Sequence, residues 1–319
     1  MDLTFKKSAL KTGGVIYGIA YNSPLAFEDL FKSPTPYEMK DGVTDYVKVF
    51  AHFFGSDDAN NFVKRIKPSL IKQSLGNDRI LWGFGTKNDT TLNMGVARWY
   101  GSGILETSVT ATSTVVKVTV KSVGDALFLP NDAIVLDNGF RMVTAKISSL
   151  SYTGNVASLT LTEQLGSDFT YGVTTVAVMP EILEQKATCS KVSKISLNGD
   201  FDATKVVLNP KGTVSNRVTL TFQSSTGFFA TSDDFSLGVS GYTSTSFSPN
   251  NPATSTPYFT IPSNAFVGVF QAGDQVVLEF VGNYTPIWFK RVVPPNSAGY
   301  ANNGFSLRVE FSPEITITS

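Results

Sequence analysis

Only one histidine, His52, and one cysteine, Cys189, occur in the 319 residues. A lone cysteine excludes an intrachain disulfide and is compatible with a reducing cytosol. A lone histidine excludes a multi-histidine metal site within one chain, and a histidine-dependent triad would have to use His52. Charge is scarce too. Asp, Glu, Lys and Arg make up 16% of the chain, against roughly 25% in ordinary soluble domains. The 26 basic and 26 acidic residues cancel. There is no basic excess to mark a nucleic-acid partner, and no net charge to hold molecules apart, so assembly with neighbours is the expectation. Long apolar runs are also missing. No stretch approaches the ~20 apolar residues of a spanning helix. The segment Lys11-Thr12-Gly13-Gly14-Val15-Ile16-Tyr17 is not the apolar core of a signal peptide. Neither a membrane partner nor conventional secretion is expected.

What the chain has instead is hydroxyls and aromatic rings. Residues 213–260 hold twenty Ser/Thr and three charged side chains, Arg217, Asp233 and Asp234. Phe222, Phe228, Phe229, Phe235, Tyr242, Phe247, Tyr258 and Phe259 are spread through the same stretch. Such a segment is suited to extended β-surfaces and neutral contacts, not to moving protons. Ser248-Pro249-Asn250-Asn251-Pro252 and Thr256-Pro257 read as an exposed loop or arm, because proline cannot donate to a ladder. Long loops in compact domains are usually functional or disordered. The reading is therefore an inter-subunit contact anchored by Phe228, Phe229, Phe235, Tyr242, Phe247, Tyr258 and Phe259, with Trp288 as a further anchor.

The chain divides into three regions. Residues 1–104 read as mixed α/β. Val43, Val47, Phe50 and Phe54 lie at helical spacing, with Tyr46 and Phe53 widening the stripe and Asp41 as a candidate N-cap. Gly55 could end that helix, and Ser56-Asp57-Asp58 could start a second one carrying Phe62 and Ile66 towards Pro68. Strands and turns follow around Trp82, Phe84 and Trp99. Over 105–180 the period changes to two. Val116, Val118 and Val120 share a face, Asp137-Asn138-Gly139 marks a hairpin, and Gly154-Asn155 turns into Val156–Thr162. Roughly five short strands there predict a small barrel or sandwich. Over 181–319 the reading is an antiparallel β-sandwich that packs with 1–104. Its clearest strand is Phe305–Phe311, in which Phe305, Leu307, Val309 and Phe311 alternate with Ser306, Arg308 and Glu310. On that pattern Leu307→Asp should be severe and Arg308→Ala mild. No fixed-period repeat points to a solenoid or propeller.

The candidates for chemistry are thin. His52 lies off the Val43–Phe50–Phe54 stripe and reads as a surface or boundary residue. Cys189 has no basic residue nearer in sequence than Lys186 and Lys191, and reads as a buried structural thiol. Asn198-Gly199-Asp200-Phe201-Asp202 opens like a calcium loop. Ala203 and Asn209 stand where the glycine and glutamate of that loop belong. Gly83-Phe84-Gly85 lacks the third glycine of a dinucleotide fingerprint, and Gly13-Gly14 lacks the lysine of a phosphate loop. Asp57-Asp58 and Asp233-Asp234 fit caps or turns better than acid–base pairs. No catalytic residue, cofactor or metal ligand is nominated.

Gly273-Asp274-Gln275-Val276, Pro286-Ile287-Trp288-Phe289-Lys290-Arg291-Val292-Val293-Pro294 and Phe305–Phe311 together resemble the C-terminal part of tailed-bacteriophage virion proteins. Leu127–Glu163, with its Pro130-Asn131-Asp132 turn, resembles small β-barrel modules inserted in phage head and tail proteins. The resemblance implies a virion building block (head decoration, neck, collar or tail) made in the host cytoplasm. It would act as a homo-oligomer and through contacts to other virion proteins. The alternatives are a carbohydrate- or receptor-binding phage protein using Trp288, Tyr284 or Tyr300, and a glycan hydrolase with a carboxylate pair.

Overall fold

The computed structural model describes residues 2–10, 16–24, 30–54, 63–86, 89–125, 127–184, 187–233, 237–282, 284–299 and 304–313. The protein is mainly β, with 50% strand and 6% helix, and its sheets are antiparallel throughout. Among the described residues the α-helical part of the N-terminal region is confined to one short helix, Pro36–Asp41. Thr35 caps it and Glu38 closes the reciprocal half of the capping box.

The helix expected from Val43 onward is instead a twelve-residue strand, Val43–Phe54. Asp41, the expected N-cap, ends the preceding helix. The reason lies in burial. Val43–Phe54 pairs on one side with Asp2–Leu10 and on the other with Tyr284–Val293, which in turn pairs with Arg79–Phe84. A strand in the middle of a sheet covered on both faces carries apolar residues at consecutive positions, and those satisfy a helical spacing as readily as an extended one. The stretch around Ile66, expected to be helical up to Pro68, belongs instead to the strand Val63–Lys72, which lies between Ile182–Glu184 and Ser306–Pro313. The proposed second helix start at Asp57-Asp58 lies outside the described residues.

Val43–Phe54 and Tyr284–Val293 form the hub of the molecule. On one face Val49, Ala51, Ile287 and Phe289 join Ile80 and Trp82. They pack on Ile66 and Leu70 of the three-stranded sheet, with Leu307 and Val309 at the margin. On the other face Phe50 and Tyr284 reach into the core of the C-terminal sandwich, ring edge to ring face at 6.3 Å.

That sandwich is built on a five-stranded sheet. Its order is Thr188–Ile195, Gln275–Val281, Asn216–Phe222, Gly227–Ser232 and Val239–Tyr242. Short ladders cover it: Gly199–Phe201 with Phe266–Gly268, Val207–Leu208 with Phe259–Thr260, and Asn250–Asn251 with Thr256–Pro257. Its core is aromatic, with Phe222 stacked on Phe270 at 3.8 Å and Phe259 on Phe280 at 4.2 Å. Each fully buried ring contributes about 1.5–3 kcal/mol before entropy is subtracted.

The central region is a closed six-stranded barrel of Val156–Leu161, Val115–Thr119, Ser102–Leu105, Thr175–Val178, Ala133–Asp137 and Met142–Thr153. Val116, Val118, Leu136, Leu159 and Val176 fill it. The Gly154-Asn155 loop is a two-residue turn, with Gly154 at a φ of +54°. The Asp137-Asn138-Gly139 loop is longer than a tight primed turn. It spans four residues, because Asn138 Oδ1 accepts from the amides of Phe140 and Arg141 and only Gly139 takes a positive φ.

Charged groups tie the barrel to the rest. Arg98 donates to both oxygens of Asp132 at 2.6 Å and to the Leu127 carbonyl at 3.0 Å. That pairing holds the Arg98 guanidinium above its ordinary value. Arg79 meets Asp125, and Lys121 donates to the carbonyls of Ser74, Gly76 and Asp78. Burial lowers the Lys121 ammonium below its ordinary value.

Candidate functional site

The rings expected to anchor an interface are, for the most part, the interior of this chain. Phe228, Phe247, Tyr258 and Phe259 lie in the sandwich core, and Trp288 is fully buried on the hub. This corrects the reading of the stretch around Ser248–Pro252 and Thr256-Pro257 as an exposed arm. The segment folds back over the sheet, and its polar atoms find partners inside. Thr213 Oγ1 donates to the Tyr258 carbonyl at 2.7 Å, and Asn251 Nδ2 donates to the Gly212 carbonyl at 2.9 Å. Phe229 is half-buried and Tyr242 is 58% exposed. Phe235 lies outside the described residues.

The exposed apolar surface gathers elsewhere. Leu197 is 93% exposed, Ile195 65% and Val269 61%; Val192 and Val267 are exposed too. The ladder between Gly199–Phe201 and Phe266–Gly268 sets Val267 opposite Asp200, and the Val269 amide donates to the Asn198 carbonyl next to Leu197. Val192 and Ile195 sit on an edge strand, since Thr188–Ile195 pairs only with Gln275–Val281 among the described residues. Lys191 and Lys194 flank the patch and both meet Asp200, which also accepts from the Phe201 amide. The hydrogen bond from Lys191 holds the Asp200 carboxyl below its ordinary value. The sequence signal for this patch was faint: isolated apolar residues set among polar ones, as in Lys194-Ile195-Ser196-Leu197-Asn198.

A second concentration of chemistry is buried. Lys48, opposite Trp288 in the hub register, has a fully buried side chain. Its Nζ donates to Asp89 Oδ1 and, at 2.9 Å, to the Asp89 carbonyl. It lies 5.0 Å from the Phe50 ring and 5.7 Å from the Trp288 ring. Asp89 Oδ2 accepts from Trp288 Nε1 at 2.9 Å, the Thr86 amide at 3.0 Å and the Gly95 amide at 3.1 Å. Desolvation lowers the Lys48 ammonium below its ordinary value, and the hydrogen bond to Asp89 opposes that shift. Neither Lys48 nor Asp89 belongs to a motif that the sequence displays. A lysine inside the apolar run Val43–Phe54 was the available signal.

Comparison with family models, curated proteins and solved structures finds no significant match.

An open cleft of about 800 Å³ lies between the helix and the hub sheet, lined by Phe31, Met39, Asp78, Arg291 and Phe305 among others. Its guanidinium is engaged: Arg291 Nε donates to Asp45 Oδ2 at 3.0 Å, and the group lies over the Phe31 ring. Asp78 is the one acidic residue lining this cleft among the described residues, so no pair of carboxylates converges there.

The remaining candidates resolve into structural parts. Cys189 packs at the margin of the sandwich core, and burial pushes its thiol up to about 12. Asp202 caps the turn Ala203–Lys205, accepting from Thr204, while Asp200 is engaged with the lysines. Among the described residues no three His, Cys, Asp or Glu side chains gather in a metal-binding group. The His52 backbone pairs with Thr4 and Tyr284 in the hub sheet. Gly83 and Gly85 are packing positions. A β-carbon on Gly83 would meet the Arg98 carbonyl at 2.6 Å, and one on Gly85 would meet Trp288 Cδ1 at 2.6 Å. Gly13-Gly14 and Tyr300 lie outside the described residues.

Proposed function

We infer that the protein is a structural subunit of a tailed-bacteriophage particle, working by assembly with copies of itself and with other virion proteins. The observation that carries this reading is the exposed apolar set at one end of the sandwich: Ile195 on the edge strand, with Leu197, Val267 and Val269 on the two segments that the neighbouring ladder joins. Contiguous exposed apolar side chains on a soluble fold mark places where another surface is met. The antiparallel, aromatic-cored build and the resemblance of 273–311 to virion proteins support the same reading. The net charge of zero is compatible with close packing of copies.

The test is assembly. Analytical ultracentrifugation of the purified chain should show a defined oligomer, or incubation with particles lacking the protein should show binding. Leu197→Asp should weaken either one while leaving the thermal transition in place. A strictly monomeric chain with no affinity for particles would overturn the reading.

The glycan-binding alternative relied on Trp288, Tyr284 or Tyr300 lining an open groove. Trp288 and Tyr284 are buried in the hub, so that version has lost two of its three residues.

A further inference from the structure

We propose that Lys48 and Asp89 are the two halves of an intramolecular amide cross-link, in which the Lys48 amine condenses with the Asp89 carboxyl and releases one water. The bond would join the hub strand Val43–Phe54 to the loop that follows Arg79–Phe84.

Three features set this pair apart from a buried ion pair that only holds a loop in place. The first is where the donors fall on the carboxylate. Oδ2 accepts three N–H groups, from Trp288, Thr86 and Gly95, whereas Oδ1 faces the Lys48 ammonium. Three fixed donors on one oxygen are what a tetrahedral intermediate needs, since negative charge gathers on that oxygen as nitrogen adds to the carbon. The second feature is enclosure. Phe50 and Trp288 wall the amine, and the Lys48 side chain has no exposed surface. A site without bulk water favours the neutral amine over the ammonium, and it shelters the amide from hydrolysis. The downward shift of the Lys48 ammonium, caused first by desolvation, agrees with this. The third is the room made for close approach. A β-carbon on Gly85 would lie 2.7 Å from Asp89 Oδ2, and one on Gly95 would lie 3.3 Å from it. Gly85 therefore holds the loop tight around the carboxylate only as glycine, and a β-carbon at Gly95 would crowd the same oxygen.

The step balances without a co-reactant. Lys48 Nζ passes one proton to Oδ1, and its freed lone pair attacks Asp89 Cγ. The C–O π electrons move to Oδ2, where the three N–H donors hold them. Nζ then gives a second proton to the Oδ1 hydroxyl. The Cγ–Oδ1 bond breaks, Oδ1 leaves as water, and the carbonyl re-forms on Oδ2. One hydrogen stays on the amide nitrogen, which now bridges the two side chains.

Intact-mass measurement of the purified full-length chain, denatured before analysis, decides the matter. The expected mass is one water below that of the sequence. Proteolysis should release a branched peptide joining the fragments that contain Lys48 and Asp89. Lys48→Arg and Asp89→Ala should each restore the full mass. Asp89→Asn should close the same bond with loss of ammonia. The wild-type result stands even if these variants fold poorly. Full sequence mass in folded protein after prolonged incubation overturns the proposal. So does a one-water deficit without the branched peptide, because a succinimide elsewhere would account for it.

Discussion

Arg308 Nη1 lies 3.0 Å from Asp137 Oδ2, joining the C-terminal strand Ser306–Pro313 to a barrel strand. The Asp137 side chain is almost wholly buried, and its other oxygen accepts from the Gly139 amide at 2.7 Å. The alternation in Phe305–Phe311 placed Arg308 on the outer face, where alanine should cost little. The contact changes that expectation. Arg308→Ala removes the cation from a buried carboxylate, and a cost of about 1 kcal/mol is expected because Arg308 itself is partly solvated. Urea titration should show a lower midpoint with an unchanged slope. A double-mutant cycle with Asp137→Asn should give a coupling well above error. A cycle coupling near zero would mean the pair is incidental.

The aromatic core makes a sharper contrast. Phe259 is buried and stacked on Phe280, whereas Tyr242 is mostly exposed. Phe259→Ala should cost about 3–5 kcal/mol. Tyr242→Ala should stay within roughly 0.5 kcal/mol of the parent. Thermal unfolding of both variants checks this, and equal losses would contradict the burial pattern.

Cys189 should be nearly inert in the native protein. Burial lifts its thiol from 9.0 to about 12, which lowers the reactive thiolate at pH 8 by about a thousandfold. Alkylation followed by mass spectrometry should be fast in denaturant and very slow without it. Rapid native labelling would show that the edge strand Thr188–Ile195 opens readily.

The helix cap carries an acid dependence. The Thr35 amide donates to Glu38 Oε2 at 2.7 Å and the Thr35 hydroxyl at 2.9 Å, and these bonds hold the Glu38 carboxyl below its ordinary 4.5. A depressed folded value means the contribution is present above the unfolded value and lost as pH falls through the folded one. The Thr35 amide resonance should therefore titrate with a midpoint below 4.5, and Thr35→Ala should move the Glu38 midpoint upward. A Glu38 midpoint at the ordinary value in the parent would show that the cap does not form in solution.

Where one face of a strand is buried and the other wet, the residues alone placed it. Val115–Thr119 alternates exposed and buried along its length, and Asn216–Phe222 and Gln275–Val281 alternate in the same way between buried and less buried positions. The barrel's turns were legible for the same local reason, since glycine and asparagine supply the required backbone angles. The absence of paired histidines or cysteines, and the scarcity of charge, are likewise properties of the chain itself. Tertiary structure decided the rest. Val43–Phe54 is a strand because sheets cover both its faces, and two-sided burial erases the alternation that would have revealed it. Phe228, Phe247 and Phe259 are core because Thr213 and Asn251 supply hydrogen bonds that let a Ser/Thr-rich segment go inside. Lys48, Asp89 and Trp288, scattered along the sequence, meet only because the hub register sets the first beside the third and a glycine-lined loop brings the second between them. Local preference acts over a few residues, and contacts between distant segments have no counterpart in it.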